Sequence, residues 1–424
     1  MYAVIESSFP KHILTRKTNK LTNMKHTFIL SLLIALLPLC KTVAQVVEPQ
    51  EVKSVLVEQH DTTWYRKQQQ AWLKEIHSNP KNERAWRNCY EATHYLEKML
   101  STAAVNDLEV QGCALGSDSV IAQMQEAIPG TYTFHLCCGR HYANRPEGKE
   151  HMEKAIRLMP ENPGMDYEIF IGYLWMSGQY DRIPDMCRRY SEVTSCPLKV
   201  LEYNYNQLVA LEKNAVIICS GDIELIPKLL LQHGLDTRTD VEVVPEVFLW
   251  NEKRFERLCQ RLNIAKWQES NPTILREMNQ DISSKLAHLV DELRKHNRTL
   301  YISCSAPMLF VPKGKSLHNE GLVLSCKDRP YDNIARAFEN VELHYELAFL
   351  RKPSLKNEDV WYAGELLHYN TILLLAPLIR QYMLQGKTDN AKNLYRLLEK
   401  GIRFLRLDEK YIRNLEGELQ KNKP

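Results

Sequence analysis

The most coherent set of chemical groups in this 424-residue sequence is Ser220-Gly221-Asp222, with Glu224 two residues on and Arg238 further downstream. The set follows Ala215-Val216-Ile217-Ile218-Cys219, a continuous apolar run that reads as a buried strand. In open α/β sheets, ligands bind beyond the carboxyl ends of strands. The backbone N–H groups of a helix starting there attract anions. Asp222 and Glu224 would repel an anion, so a cation or sugar hydroxyls suit this place better. The same residues also have a structural reading. Asp222 would cap the helix through its carboxylate, and Glu224 would complement the helix dipole. Arg238, in Thr237-Arg238-Thr239-Asp240, is placed to pair with Asp222 or Asp240.

Other reactive side chains form no recognisable constellation. His135, His141 and His151 fall in one helical region. Cys138-Gly139-Arg140-His141 is a single C-x-x-H without a second half at metal spacing, so packing is expected rather than a metal site. Ser303 and Ser305 flank Cys304, but there is no G-x-S-x-G elbow. P-loop, dinucleotide and H-E-x-x-H motifs are also missing. Nothing calls for a cofactor, and binding is expected rather than catalysis. Asp118-Ser119-Val120 matches a bacterial O-glycosylation triplet, and a helix start with Asp118 as its cap explains it equally well.

Elements to position these groups follow from periodicity. Residues 45–213 read as helices. Trp64, Gln68, Trp72 and Ile76 share a face that ends before Asn79-Pro80, and Trp86, Tyr90, Tyr95 and Met99 mark the next helix. Glu147 to Leu158 is a further helix, with Ala155 five residues before Pro160. Ile171-Gly172, Trp175, Gly178, Tyr180 and Ile183 then lead to Pro197, 37 residues after Pro160 and near the period of a tetratricopeptide repeat. Residues 214–327 change period. Strands are expected at Ala215–Cys219, Val241–Val244, Thr299–Cys304 and Leu322–Cys326. Helices are expected at Ile223–His233, Asn251–Leu262 and Ile274–His296. This alternation predicts a βαβ unit with a parallel sheet. Residues 328–424 return to helices, where Tyr382, Gly386, Ala391 and Tyr395 repeat the tetratricopeptide spacing. The expected fold is mainly α, with repeat-like helices flanking a small α/β insert.

Residues 1–44 read as an export signal. The apolar run from Phe28 to Leu39 spans less than about 20 Å as a helix, too short to cross a membrane but suited to a signal-peptide core. Thr42 and Ala44 give a cleavage site between Ala44 and Gln45, and Met24-Lys25 offers an alternative start. Leu39 before Cys40, where a small residue belongs, argues against lipid anchoring at that cysteine. Six basic residues but only Glu6 among the acids precede Gln45, so the net charge of +3 becomes −2 after cleavage. A near-neutral chain has no global field for phosphate backbones, which argues against a nucleic-acid partner. No further run reaches the length of a membrane span. Ten of the 11 cysteines would remain in an oxidising compartment, where Cys304 with Cys326 is the first pair to expect as a disulfide.

Gly221-Asp222-Ile223-Glu224, Arg238-Thr239-Asp240-Val241, Glu320-Gly321-Leu322 and the repeat around Ala391 stand in an order and spacing that resemble a known arrangement. It is that of the soluble tail of a bacterial multi-span membrane family related to protein O-mannosyltransferases. That family's first motif carries a polar residue where Ile223 stands, and its membrane-spanning part has no counterpart here. The N-terminal Asn79-Pro80 and Ala85-Trp86-Arg87-Asn88 are similar to a segment of related exported repeat proteins. The resemblance implies this fold and an envelope location in a Gram-negative cell, and it implies no enzyme activity. The expectation is an exported periplasmic binding or scaffold protein with a protein or peptide partner. The alternative is an enzyme or glycan-binding module at the end of the first strand.

Overall fold

The computed structural model describes residues 47–102, 115–143, 145–193, 196–267, 278–305, 311–327, 331–351 and 361–424. The signal segment, with Cys40, Ala44 and Gln45, lies outside the described residues. The chain is mainly α-helical with a small α/β unit. It divides into two compact units, one holding residues 60–158 and the other residues 54–59 with 159–424.

The first unit is built from paired helices. Helix α1 (Thr62–Ser78) starts where Asp61 Oδ1 accepts from Trp64 N at 2.7 Å, and it ends at Asn79 before Pro80. It buries Gln68, Trp72 and Ile76 on one face and packs on α2 (Glu83–Thr102), which buries Trp86, Tyr90 and Tyr95. Next come α3 (Ser117–Ala127), α4 (Tyr132–His141) and α5 (Pro146–Leu158), with α4 packed on α5. Asp118 does not cap α3. The N-cap is Gly116, and Asp118 sits inside the first turn, where its Oδ1 lies 2.8 Å from His141 Nε2.

In the second unit α6 (Asp166–Ser177) and α7 (Ile183–Val193) pack together, and α8 (Leu198–Ala210) leads into the sheet. The sheet order is β2-β1-β3-β5-β4. It uses β1 (Val216–Cys219), β2 (Glu242–Pro245), β3 (Leu300–Ser303), β4 (His318–Asn319) and β5 (Val323–Ser325). Strand β1 is parallel to β2 and β3, as the alternation predicts. The β4–β5 hairpin then joins antiparallel to β3, so the sheet is mixed rather than wholly parallel. Central β1 is fully buried, which is why its sequence is apolar without alternation.

Helix α9 (Gly221–Gly234) connects β1 to β2, and α10 (Glu252–Leu262) and α11 (Met278–Lys295) lie between β2 and β3. Ile274 to Glu277 of the expected α11 fall outside the described residues. Pro227 stands inside α9 and has no N–H, which frees the carbonyl of Ile223 four residues earlier. The Asn204 side chain, from α8, donates to that carbonyl at 3.2 Å, so the proline is tolerated because a neighbouring helix supplies the missing donor.

After the sheet come α12 (Asn333–Glu339), α13 (Ala348–Arg351), α14 (Tyr362–Leu384), α15 (Thr388–Ile402) and α16 (Glu409–Lys421). The first N–H groups of α14 are satisfied by the turn at residues 54–58, since Tyr362 N donates to Val57 O and Ala363 N to Leu56 O. Helices α14 and α15 form a hairpin turning at Gly386, with Tyr382 and Ala391 buried between them. The terminal helix α16 is not wholly solvated, because Leu415 and Leu419 are buried.

The expected Cys304–Cys326 disulfide does not form, and no disulfide joins any two of the described cysteines. The antiparallel register explains it. Cys326 N donates to Leu300 O at the start of β3, whereas Cys304 follows its end. Four residues of strand separate those ends by roughly 13 Å, beyond disulfide reach.

Candidate functional site

The chain leaves β1, forms β2 on one side of it, and returns to form β3 on the other. The strand order therefore reverses between β1 and β3, and their carboxyl ends form a topological switch point, the usual ligand location in such sheets. Ser220 follows β1, Glu246 follows β2, and Ser303 ends β3.

Glu224, one turn into α9, spans this point and is fully buried. Its Oε2 accepts from Ser220 N at 2.8 Å, and its Oε1 accepts from Ser303 Oγ at 2.6 Å. Lys228 lies one further turn along and is also fully buried. Its ammonium donates to Asn204 Oδ1 and Gln207 Oε1, both at 2.6 Å, and reaches the Glu224 carbonyl at 3.4 Å. The Glu224 Oε2 atom is 4.0 Å from it. Burial pushes the Lys228 ammonium below its usual pKa, and the nearby Glu224 carboxylate opposes that shift. Gln207 returns its own amide to Ser303 Oγ at 2.8 Å and to Leu322 O at 2.9 Å. At the rim, Ser305 Oγ meets Tyr203 Oη at 2.9 Å and accepts from Asn370 Nδ2, on α14, at 3.0 Å. Helices α8, α9 and α14 are thereby tied to the end of β3 by a closed set of polar bonds.

One group beside this set is not satisfied. Glu246 is fully buried, and its carboxyl oxygens make no well-formed hydrogen bond, the Ser220 side chain being a weak donor nearby. Burial first, and the negative charge of Glu224 second, push its pKa up to about 7. A buried carboxyl this poor in donors sheds its charge at the cost of carrying a proton near neutrality.

The four residues singled out from sequence part company here. Gly221 opens α9 with φ +58°, a left-handed conformation that disfavours a side chain. Asp222 is exposed in the first turn of α9. It is not the cap, because the chain enters the helix at Ser220, two residues earlier than expected. Glu224 is internal, as above. Arg238 lies at the other end of the sheet. Its guanidinium donates to the carbonyls of Leu208, Leu211 and Glu212, each at 2.8 Å, and to Asp240 at 2.9 and 3.0 Å. Asp240 also accepts from Asn214 N, just before β1, at 2.8 Å. These bonds hold the Asp240 carboxyl down at about 2, with Arg238 the main cause. The whole length of β1 separates this clamp from Glu224, so Arg238 pairs with Asp240 and not Asp222.

Lys228, Gln207, Tyr203 and Glu246 were not singled out in the sequence. Lys228 did leave a signal: a lone cation inside Leu225-Ile226-Pro227-Lys228-Leu229-Leu230-Leu231 must be buried, and buried lysines carry partners. In the first unit, His135 Nδ1 lies 2.9 Å from His151 Nδ1 on the neighbouring helix. Among the described residues, no three His, Cys, Asp or Glu side chains are grouped to hold a metal ion. No described helix is long and apolar enough to cross a membrane. Compared with known families and curated proteins, the chain matches no family model and no curated relative.

Proposed function

We propose that the chain is an exported periplasmic binding or scaffold protein whose helices hold a protein or peptide partner. The observation that carries this reading is an exposed apolar site at the end of the α14–α15 hairpin. Met383 and Leu384 close α14 at the hairpin turn, and Leu343 follows Glu342, which accepts from Tyr382 Oη at 2.8 Å. Leu343 and Leu384 are 73% and 72% exposed, and Met383 is 38% exposed. Neighbouring exposed apolar side chains, here Met383 and Leu384, mark interaction sites. The order of motifs from Gly221 to Ala391 supports an envelope location. Crosslinking and pull-down from the cell envelope tests the reading, with Leu384→Asp as control. A partner captured by the wild type and lost in the folded variant supports it. Full-length cytoplasmic chain, with no new terminus at Gln45, would sink the export part.

The second reading is an enzyme or glycan-binding module at the end of β1. Glu246 favours it, as a buried carboxyl with only a weak internal donor, Ser220, beside a switch point. Burial of Glu224 within its own hydrogen bonds counts against it. Glycan-array binding that disappears in Glu246→Gln would raise this reading above the first.

A further inference from the structure

At the end of the sheet opposite Glu224, a pocket of about 440 Å³ opens between the start of β1 and the segment after β5. Its walls are Glu212, Lys327, Tyr331, Asp332, Arg336 and Glu339, with Ala335 completing the lining. Beneath it lies Glu320 of the Glu320-Gly321-Leu322 motif, fully buried. The Glu320 carboxylate is on the pocket side, because its side-chain neighbours Tyr331, Lys327 and Arg336 all line the walls.

Both cations are already engaged. Lys327 Nζ sits 2.8 Å from Glu212 and 3.3 Å from Glu320, and lies 4.2 Å over the Tyr331 ring. Arg336 donates to Glu339 at 2.7 Å and to the Ala210 carbonyl at 3.3 Å. Among the described residues, four carboxylates thus face two cations, and the surplus is of acceptors. Asp332 and Glu339 are exposed at the rim. Inside, Glu320 Oε2 has no hydrogen bond, and Arg336 Nε approaches it only to 3.9 Å. Asn340, which donates to the Glu320 carbonyl at 2.8 Å, has its own Oδ1 without a donor. An anion entering here would meet carboxylates and, among the described residues, no uncommitted cation. A metal ion is not favoured, since the described carboxylates do not converge in a ligand group.

We infer that this pocket receives a basic side chain, lysine or arginine, from a peptide partner. A guanidinium or ammonium offsets the carboxylate surplus at the rim, donating to the free lone pairs of Asp332 and Glu339, while the aliphatic stem lies along Ala335 and the edge of Tyr331. The inference rests on the reading of the chain as a holder of protein or peptide. It names the chemistry of one contact, separate from the apolar pair Met383 and Leu384 at the hairpin turn.

The test is calorimetric titration of the purified full chain with the blocked tripeptides Gly-Lys-Gly, Gly-Arg-Gly and Gly-Glu-Gly at low and moderate salt. The expected result is binding of the two basic peptides only, weakened several-fold by salt. The matching variant is Asp332→Asn with Glu339→Gln. Asparagine preserves the cap that Asp332 makes with Ala335 N at 2.8 Å, so the helix stays intact while two rim charges go. Affinity should fall about ten-fold in that variant with an unchanged circular dichroism spectrum. Binding of Gly-Glu-Gly instead, equal binding by wild type and variant, or no binding of any peptide at millimolar concentration would each overturn the inference. None of those results bears on capture of a partner through Leu384, so the two readings fail separately.

Discussion

Ser303 Oγ, at the end of β3, donates to Glu224 Oε1 at 2.6 Å, with both residues fully buried. That one bond closes the switch point between two parallel strands. It turns the place where a ligand would be sought in an open sheet into an internal joint between the sheet and α9.

The joint depends on Lys228. Replacing it by methionine keeps the volume but leaves Asn204, Gln207 and Glu224 facing each other without the ammonium. Removing one partner of a buried charged set costs about 3–5 kcal/mol. The Lys228→Met variant should show that loss in urea denaturation, and adding Glu224→Gln should recover part of it. Equal midpoints for wild type and single variant would refute the assignment.

Glu246 makes stability depend on pH. Its carboxyl is raised from 4.5 to about 7 by burial and by Glu224. A raised acid binds its proton more tightly in the folded state, so its contribution is fully present below about pH 4.5 and is lost as pH rises through 7. Glu168, also raised to about 7 by burial, acts in the same window, so the readout is the difference between wild type and Glu246→Gln. The variant should be the more stable at pH 8 and should gain least at pH 5, as followed by thermal melts. A constant difference across that range would contradict the prediction.

Arg238 should not tolerate lysine. The guanidinium serves three carbonyls and both oxygens of Asp240, whereas an ammonium offers three donors without the planar fork. Arg238→Lys is expected to cost about 2–4 kcal/mol, since bonds from a charged donor are worth about 1.5–3 kcal/mol each before compensation by water. The Asp240 carboxyl, held near 2, gives stability that is present above pH 3.8 and lost as pH falls through 2. Arg238→Lys should therefore raise the pH midpoint of acid unfolding, and an unchanged midpoint would argue against the clamp.

Gly321 has φ +107°, and a Cβ there would meet Tyr345 Oη at 2.6 Å. That hydroxyl also accepts from Leu322 N at 2.9 Å, so it cannot withdraw freely. Gly321→Ala should lose about 2–3 kcal/mol through strain and overpacking. Tyr345→Phe in the same chain should not restore it, because the backbone strain remains; full rescue in denaturation would show that the clash alone matters.

The sequence by itself determined the elements. The unbroken run before Ser220 gave a strand buried on both faces, and the turn-spaced aromatics from Trp64 to Tyr395 gave amphipathic helices, because those patterns act over one or two turns. It also exposed the acidic start of α9 and the paired Arg238 and Asp240, which are local in the chain. Only the tertiary structure decided what those groups do. Glu224 is internal because Ser303, 79 residues away, meets it. Arg238 sits at the far end of the sheet because β1 lies between. Cys304 and Cys326 stay apart because β5 runs antiparallel to β3. Register and strand order set each of these distances, and they arise from packing between segments far apart in the chain. No spacing along one segment encodes them.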